Sequence, residues 1–76
     1  MKTLAKRLRK MRDAVGISMM EVQAQTAKGK HHTVTQSYLS RLESGKEDNP
    51  SMAVILALAA VYGTSPNEIM GWEEGV

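Results

Sequence analysis

Glycines at three positions limit this chain to short helices. Gly16, Gly45 and Gly63 each follow a segment with helical patterning, and glycine readily adopts the left-handed conformation that ends a helix. With 76 residues in all, such a chain forms one small domain with a thin core. A two-domain enzyme is therefore excluded.

Apolar spacing and capping residues predict five helices and an all-α fold. The first covers residues 3–15, where the apolar stripe consists of Leu4, Leu8, Met11 and Val15. The later helices cover about 18–26, 35–44 and 52–62, followed by a short one from 66. Their starts are marked by Ser18 with Glu21, by Thr35, by Ser51, and by Ser65 with Pro66 and Glu68. Residues 27–33 are expected to form a basic loop. The domain spans 1–72, and residues 73–76 are expected to be a frayed tail.

Charge is divided unevenly along the chain. Residues 1–46 hold all ten Lys and Arg residues against three acidic residues, a net charge of +7, whereas residues 47–76 hold five acidic residues and no Lys or Arg. This separation suggests one face that binds a polyanion and another end that is kept away from it. An ordinary solvated surface has the same composition, so charge alone leaves both interpretations open.

Composition disfavours secreted and membrane proteins. The chain has no cysteine, which excludes disulfides and thiolate zinc sites and suits a reducing cytoplasm. Its longest apolar run, residues 52–62, is shorter than the roughly 20 residues that cross a bilayer, and its basic N-terminal segment lacks the apolar part of a signal peptide. We therefore expect a cytoplasmic protein with no membrane partner.

The sequence contains no pattern typical of an active site. His31 and His32 lack the spaced additional ligands of a zinc site. The Gly-Lys pairs at 29–30 and 45–46 lack the rest of a phosphate-binding loop. No nucleophile, base and acid form a recognisable set. We expect a protein that is not an enzyme and needs no metal, cofactor or small-molecule substrate.

The predicted third helix separates polar from apolar side chains. The helical period places Tyr38, Leu39 and Leu42 on one arc. The opposite arc consists of Gln36, Ser37, Ser40, Arg41 and Ser44. An amide, hydroxyls and a guanidinium match the hydrogen-bonding edges of base pairs in the DNA major groove. A merely solvated helix face has the same composition, so the helix alone does not decide.

Residues 34–46, Val-Thr-Gln-Ser-Tyr-Leu-Ser-Arg-Leu-Glu-Ser-Gly-Lys, are followed by Asn-Pro-Ser at 49–51. This pattern resembles the lambda-repressor-like helix-turn-helix family, also called the Cro/cI or XRE type. The resemblance extends to Leu4, Leu8, Arg12, Gly16, Ser18, Leu56, Leu58, Ala59, Gly63, Ser65 and Glu68. It implies a compact five-helix domain whose second and third helices form the helix-turn-helix, with the third in the major groove.

The resemblance also implies roles for individual residues. Base contacts are expected from Gln36, Ser37 and Arg41. Contacts to the DNA backbone, or mixed contacts, are expected from Thr35, Tyr38, Ser40, Ser44 and Lys46. Arg12 and Glu43 match the positions of a partly buried ion pair that joins the first helix to the third.

Two features depart from the family pattern. Met19 stands where relatives usually have a glutamine that binds the DNA backbone. Between the second and third helices, where the family has a small residue and a tight turn, the chain has Gln23 and several extra residues. Lys28 and Lys30 could replace the lost contact by reaching DNA phosphates. An insertion that touches nothing explains the loop equally well.

The predicted fourth helix is apolar on every side. Its core face is expected to consist of Met52, Ile55, Leu56, Ala59 and Tyr62. Its outward positions, Ala53, Val54, Ala57, Ala60 and Val61, are apolar as well. Such a helix is usually buried all round, which predicts a homodimer. The expected interface consists of Val54, Ala57, Ile69, Met70 and Trp72. Alanine used as a good helix former is the alternative, and Trp72 could instead cover the open end of the core.

The resemblance implies a sequence-specific regulator of transcription that binds double-stranded DNA. The simplest form is a repressor that binds a palindromic operator as a dimer. The alternative is a protein-interaction module, such as an antitoxin or co-regulator, that uses the apolar fourth helix as its docking face.

Overall fold

The computed structural model describes residues 3–71. They form five helices, α1 (Thr3–Val15), α2 (Met19–Lys28), α3 (Gln36–Ser44), α4 (Met52–Tyr62) and α5 (Pro66–Met70). No strand occurs within this range, so the prediction of an all-α, five-helix fold is confirmed. The expected tail, residues 73–76, and Trp72 lie outside the described residues.

Local capping chemistry sets the helix boundaries. Ser65 and Glu68 form a reciprocal capping box at the start of α5, with Pro66 in its first turn. Gly45 and Gly63 adopt φ angles of +84° and +67° directly after α3 and α4. Because these signals act over a few residues, the sequence alone predicts them well.

The end of α2 differs from the prediction by two residues. The helix continues past Thr26 to Lys28, and the backbone N–H of Gly29 donates to the carbonyls of Gln25 and Thr26. Alanine and lysine, the two added residues, are good helix formers. Lys28 therefore lies in the last turn of α2 and not in the following loop.

The core lies where all five helices meet. α1 packs against α3, α4 and α5, while α2 packs against α3 and α4. The largest fully buried side chains are Leu8, Leu39, Leu42, Leu58, Ile69, Val22 and Val34. α3 is thus held from two sides, by α1 and by α2.

The apolar stripe of α1 is only partly buried. Leu8 is fully buried, and Leu4 and Met11 pack against the core, but Val15 is 44% exposed. Within residues 3–71, no helix is both long enough and apolar enough to cross a membrane.

The orientation of α4 determines which of its residues a second molecule could reach. Val54, Ala57 and Ile69, three of the residues expected in the dimer interface, are buried within the single chain, with at most 5% of their surface exposed, so they offer almost no surface to a second molecule. The physical reason is that α1, α2 and α5 all pack against or beside α4 and cover a wide arc of it. Met70, also expected in the interface, is partly buried against the core.

The outward face of α4 consists of other residues. Met52 and Leu56, expected in the core, are 50% and 40% exposed. Ala53 and Ala60 are exposed on the same side of the helix. We call these four residues the outer face of α4. It is apolar, as expected for this helix, but different residues form it.

Candidate nucleic-acid interface

The two faces of α3 lie as the helical period indicates. Leu39 and Leu42 are fully buried, and Tyr38 is partly buried against the core. The exposed side chains are Gln36, Ser37, Ser40, Arg41 and Ser44, and we call them the polar face. The helix begins at a capped residue, because the Thr35 hydroxyl accepts a hydrogen bond from the Tyr38 backbone N–H at 3.2 Å.

An ion pair fixes α3 to α1. The Arg12 guanidinium donates from Nε and Nη2 to the two carboxylate oxygens of Glu43, at 2.7 and 3.0 Å. Its Nη1 donates to the backbone carbonyl of Ile17 at 3.0 Å. The structure thus brings together the two residues that the resemblance pairs. A bidentate pair is geometrically specific, so it restricts rotation of α3 about its own axis.

The phenol of Tyr62 lies near this ion pair. Burial raises the pKa of Tyr62, and the negative charge of Glu43 raises it further, while Arg12 lowers it. The Tyr62 hydroxyl has no hydrogen-bond partner within the described part of the chain. The hydrogen bonds that Arg12 donates to the Glu43 carboxylate raise the pKa of the guanidinium.

Two side chains of α2 hold the start of α3. The Gln23 side-chain oxygen accepts a hydrogen bond from the backbone N–H of Gln36 at 2.6 Å. The Thr26 hydroxyl accepts one from the backbone N–H of Val34 at 2.9 Å and donates to the carbonyl of Val22. Thr26 and Val34 are both buried. The segment that enters α3 is therefore attached to α2 on either side of Thr35, although the connecting loop is long.

A family model described as a helix-turn-helix domain matches residues 3–70. The chain belongs to this family. The match begins and ends with the five helices, so it covers every element that positions the polar face, and it is consistent with the resemblance to the Cro/cI type. No curated protein and no solved structure matches the chain.

In this helix-turn-helix domain, α2 and α3 are the paired helices, and α3 occupies the position of the recognition helix. The domain is of the DNA-binding class. Gln36 and Arg41 both lie on the exposed side of α3. The Arg41 guanidinium lies over the Tyr38 ring, 5.4 Å from its centroid, which is within the range of a cation–π contact.

The positions expected to meet the DNA backbone are exposed to different degrees. Thr35, Ser40 and Lys46 are exposed, whereas Tyr38 is only half-exposed. The Ser44 hydroxyl donates to the Arg41 carbonyl at 3.2 Å, so it must rotate before it can donate to a phosphate. Lys28 and Lys30 are both exposed, one at the end of α2 and the other in the loop.

Sequence reasoning missed the functions of Gln23, Thr26 and Met19. Gln23 looks like a departure from the short family turn, but its amide binds the first N–H of α3, one of the donors that a helix start leaves unpaired. Met19 replaces the usual glutamine and packs against the core. For Thr26 the sequence offers one signal, a threonine that precedes a loop. This signal does not identify the Val34 backbone N–H as its hydrogen-bond partner.

Nothing in the described residues resembles a metal centre. Within residues 3–71, no three His, Asp or Glu side chains lie close enough together to hold a metal ion. His31 and His32 are exposed in the loop between α2 and α3.

Proposed function

We propose that this protein is a sequence-specific regulator of transcription that inserts α3 into the major groove of double-stranded DNA. The observation that carries the proposal is the polar face, which is exposed while the opposite side of the same helix is fixed by the core, the Arg12–Glu43 pair and Gln23. A recognition helix needs this combination, because base edges are discriminated only by side chains held in a defined position.

Base discrimination in this proposal comes from Gln36, Ser37 and Arg41. Glutamine pairs through two hydrogen bonds with adenine, arginine pairs similarly with guanine, and serine bonds to either. Each good pair contributes about 1–3 kcal/mol of discrimination against the wrong base. To reach a guanine, Arg41 must leave the ring of Tyr38, a contact that contributes about 0.5–1 kcal/mol at an exposed site. The expected gain exceeds that loss.

Backbone contacts come from Thr35, Tyr38, Ser40, Ser44 and Lys46. Such contacts position the domain but carry no sequence information. Lys28 and Lys30 add two further phosphate contacts, each worth about 0.9 in the slope of log K against log salt. Replacing both lysines by glutamate tests this part. An unchanged salt slope would remove the two lysines from the interface and leave the rest of the proposal intact.

The decisive experiment for DNA recognition combines selection and substitution. Selection from a random duplex pool should yield a defined sequence, and Arg41→Ala should lower affinity for it by about 1–3 kcal/mol while relaxing preference at one base pair. Lys46→Ala, the matched control, should weaken binding to selected and random duplexes alike. If Arg41→Ala weakens both duplexes equally, Arg41 makes no base contact.

In the same proposal the protein acts in the cytoplasm as a repressor, and two copies bind a palindromic operator. The half-sites then lie about 10 base pairs apart, or a multiple of that. The two copies meet through the outer face of α4. In a twofold interface each copy presents the same residues to the other, and the outer face carries no charge that would need an opposite charge across the interface.

Sedimentation tests the dimer. Leu56→Lys places a charge on the outer face without disturbing a buried residue, and Ser37→Lys on the polar face is the control for added charge. The first substitution should produce a monomer and the second should leave the dimer intact. A Leu56→Lys protein that remains dimeric would exclude this interface.

The exposed apolar residues Met52 and Leu56 also favour a second candidate function. In it, the domain is an interaction module that binds another regulator or a toxin through the outer face of α4. A protein that stays monomeric and shows no salt-dependent binding to any duplex would support this candidate over the DNA-binding regulator.

A further inference from the structure

A cleft of about 360 Å³ lies between α3 and the loop that connects α2 to α3. His32 and Thr33 line it on the loop side, and Tyr38 and Arg41 line it on the side of α3. Ser51, the capping residue of α4, also lines it. The cleft therefore adjoins the polar face, because Arg41 belongs to both.

The chemistry of the cleft suits an anion. The Arg41 guanidinium, which the proposed function assigns to a base, adds positive potential beside the cleft without contacting the anion, and His32 becomes a cation when its imidazole binds a proton. Thr35 and Ser51 accept the capping N–H bonds of α3 and α4, so each hydroxyl still has its own proton to donate. Among the described residues that line the cleft, none carries a carboxylate.

We propose that this cleft holds a phosphodiester group of the DNA backbone, and that His32 binds a proton when the phosphate enters. The inference rests on the proposed function, since it assigns to the bound duplex a contact from the inserted loop. His31, the neighbouring histidine, is exposed in the same loop but does not line the cleft. The two adjacent imidazoles are therefore expected to behave differently.

Charged and titratable side chains approach His32 from its own loop and from α3, within the part of the chain that the structure describes. Lys30 and His31 precede it in the loop, and Arg41 and Tyr38 face it from α3. α4 contributes the uncharged Ser51 and Val54. Burial raises the pKa of Tyr38, and the negative charge of Glu47, in the segment after α3, raises it further.

The sign of the pH effect follows from linkage. If the complex holds one more proton than the separate molecules, affinity rises as the pH falls, by at most tenfold per pH unit. Imidazole is the side chain whose unperturbed titration lies between about pH 5 and 8. The duplex should therefore bind more tightly at pH 5.5 than at pH 8, and His32 should account for most of the difference.

The experiment measures affinity for a random-sequence duplex across this pH range at constant ionic strength. A random duplex suffices because a phosphate contact acts on every sequence. Wild type and His31→Gln should both take up about 0.5–1 proton on binding, and His32→Gln should take up close to none. At pH 5.5 the salt slope of His32→Gln should be smaller than that of wild type by about 0.9.

The outcomes separate the possible failures. If His32→Gln and His31→Gln show the same proton uptake, His32 does not hold the phosphate and the inference is wrong. If wild type binds no duplex at any pH, the proposed function itself fails. The final experiment is a titration with inorganic phosphate alone. It is monitored by NMR through the backbone amide resonances of Thr33 and Thr35. Equal responses to inorganic phosphate and to the duplex would identify a site for free anions and overturn the assignment to DNA.

Discussion

Replacing Thr26 by valine tests whether α2 controls the entry into α3. The two side chains have nearly the same shape, but valine cannot accept the hydrogen bond that the Thr26 hydroxyl receives from the Val34 backbone N–H at 2.9 Å. Both residues are buried, with 3% and 1% of their surface exposed. The Val34 N–H would therefore lose its partner at a place that water does not reach.

The expected magnitude follows from that unpaired group. A buried donor without a partner costs about 1–3 kcal/mol, while the carbonyls of Val22 and Gln23, to which the hydroxyl donates, belong to a helix. A domain of this size has a total stability of about 4–11 kcal/mol. The melting temperature should fall by about 4–8 °C for each kcal/mol lost.

Thr26→Ser is the matched control, because it keeps the hydroxyl and removes one methyl group, worth about 0.8 kcal/mol. Thermal unfolding gives the stability of both variants, and amide hydrogen exchange reports the Val34 N–H directly. Protection at Val34 should be lost in Thr26→Val and kept in Thr26→Ser. A valine variant with wild-type protection at Val34 and wild-type stability would refute the claim that this hydrogen bond secures the loop.

Two further predictions concern stability away from the interface. Gly71→Ala should destabilise the fold by more than about 1 kcal/mol, because Gly71 has a φ of +76°, which strains any residue with a Cβ, whereas the nearby Arg7 guanidinium is flexible and can move aside. Gly29→Ala is its control and should be tolerated in thermal unfolding, since φ is negative there and the new Cβ meets ordinary contacts. Tyr62→Phe should leave stability at pH 7 unchanged or raise it by about 1 kcal/mol, because it removes a buried hydroxyl without a described partner. Since folding raises the pKa of Tyr62, wild type should lose stability as the pH rises above about 10. This loss should shrink more in Tyr62→Phe than in Tyr38→Phe, because folding raises the pKa of both phenols but buries Tyr62 more deeply. Denaturant titration at pH 8 and 11 would measure both losses, and equal losses in the two variants would contradict the assignment to Tyr62.

The features that could be predicted from sequence depend on local signals. Ser65 with Glu68 and the glycine at 63 act within one or two helical turns, so the bounds of α4 and the start of α5 follow from them. In α3 the period separates polar from apolar residues clearly, so the exposure of Gln36 and Arg41 could be predicted as well.

The orientation of α4 could not be predicted in the same way. A helix with no polar side chain before Tyr62 carries no signal that selects which face points inward, so Val54 and Leu56 are equally suited to the core. Their actual positions depend on three neighbouring helices that meet α4 from different sides. The burial of Val54 and the exposure of Leu56 are therefore consequences of tertiary packing.

The hydrogen bonds from α2 are also outside the reach of sequence patterns. Thr26 and Val34 are separated by eight residues, and Gln23 and Gln36 by thirteen. The partner in each pair depends on how the chain returns after the loop. A resemblance to relatives with a short turn gives no guide here, because those relatives have no equivalent segment to anchor.

The anchors on α2 separate two properties that are normally linked, the length of a connecting segment and the angle between the helices it joins. Gln23 and Thr26 hold the chain at Gln36 and Val34, so residues 29–33 can change in number and composition while the crossing of α2 and α3 stays fixed. This segment can therefore be rebuilt without changing how α3 presents its polar face.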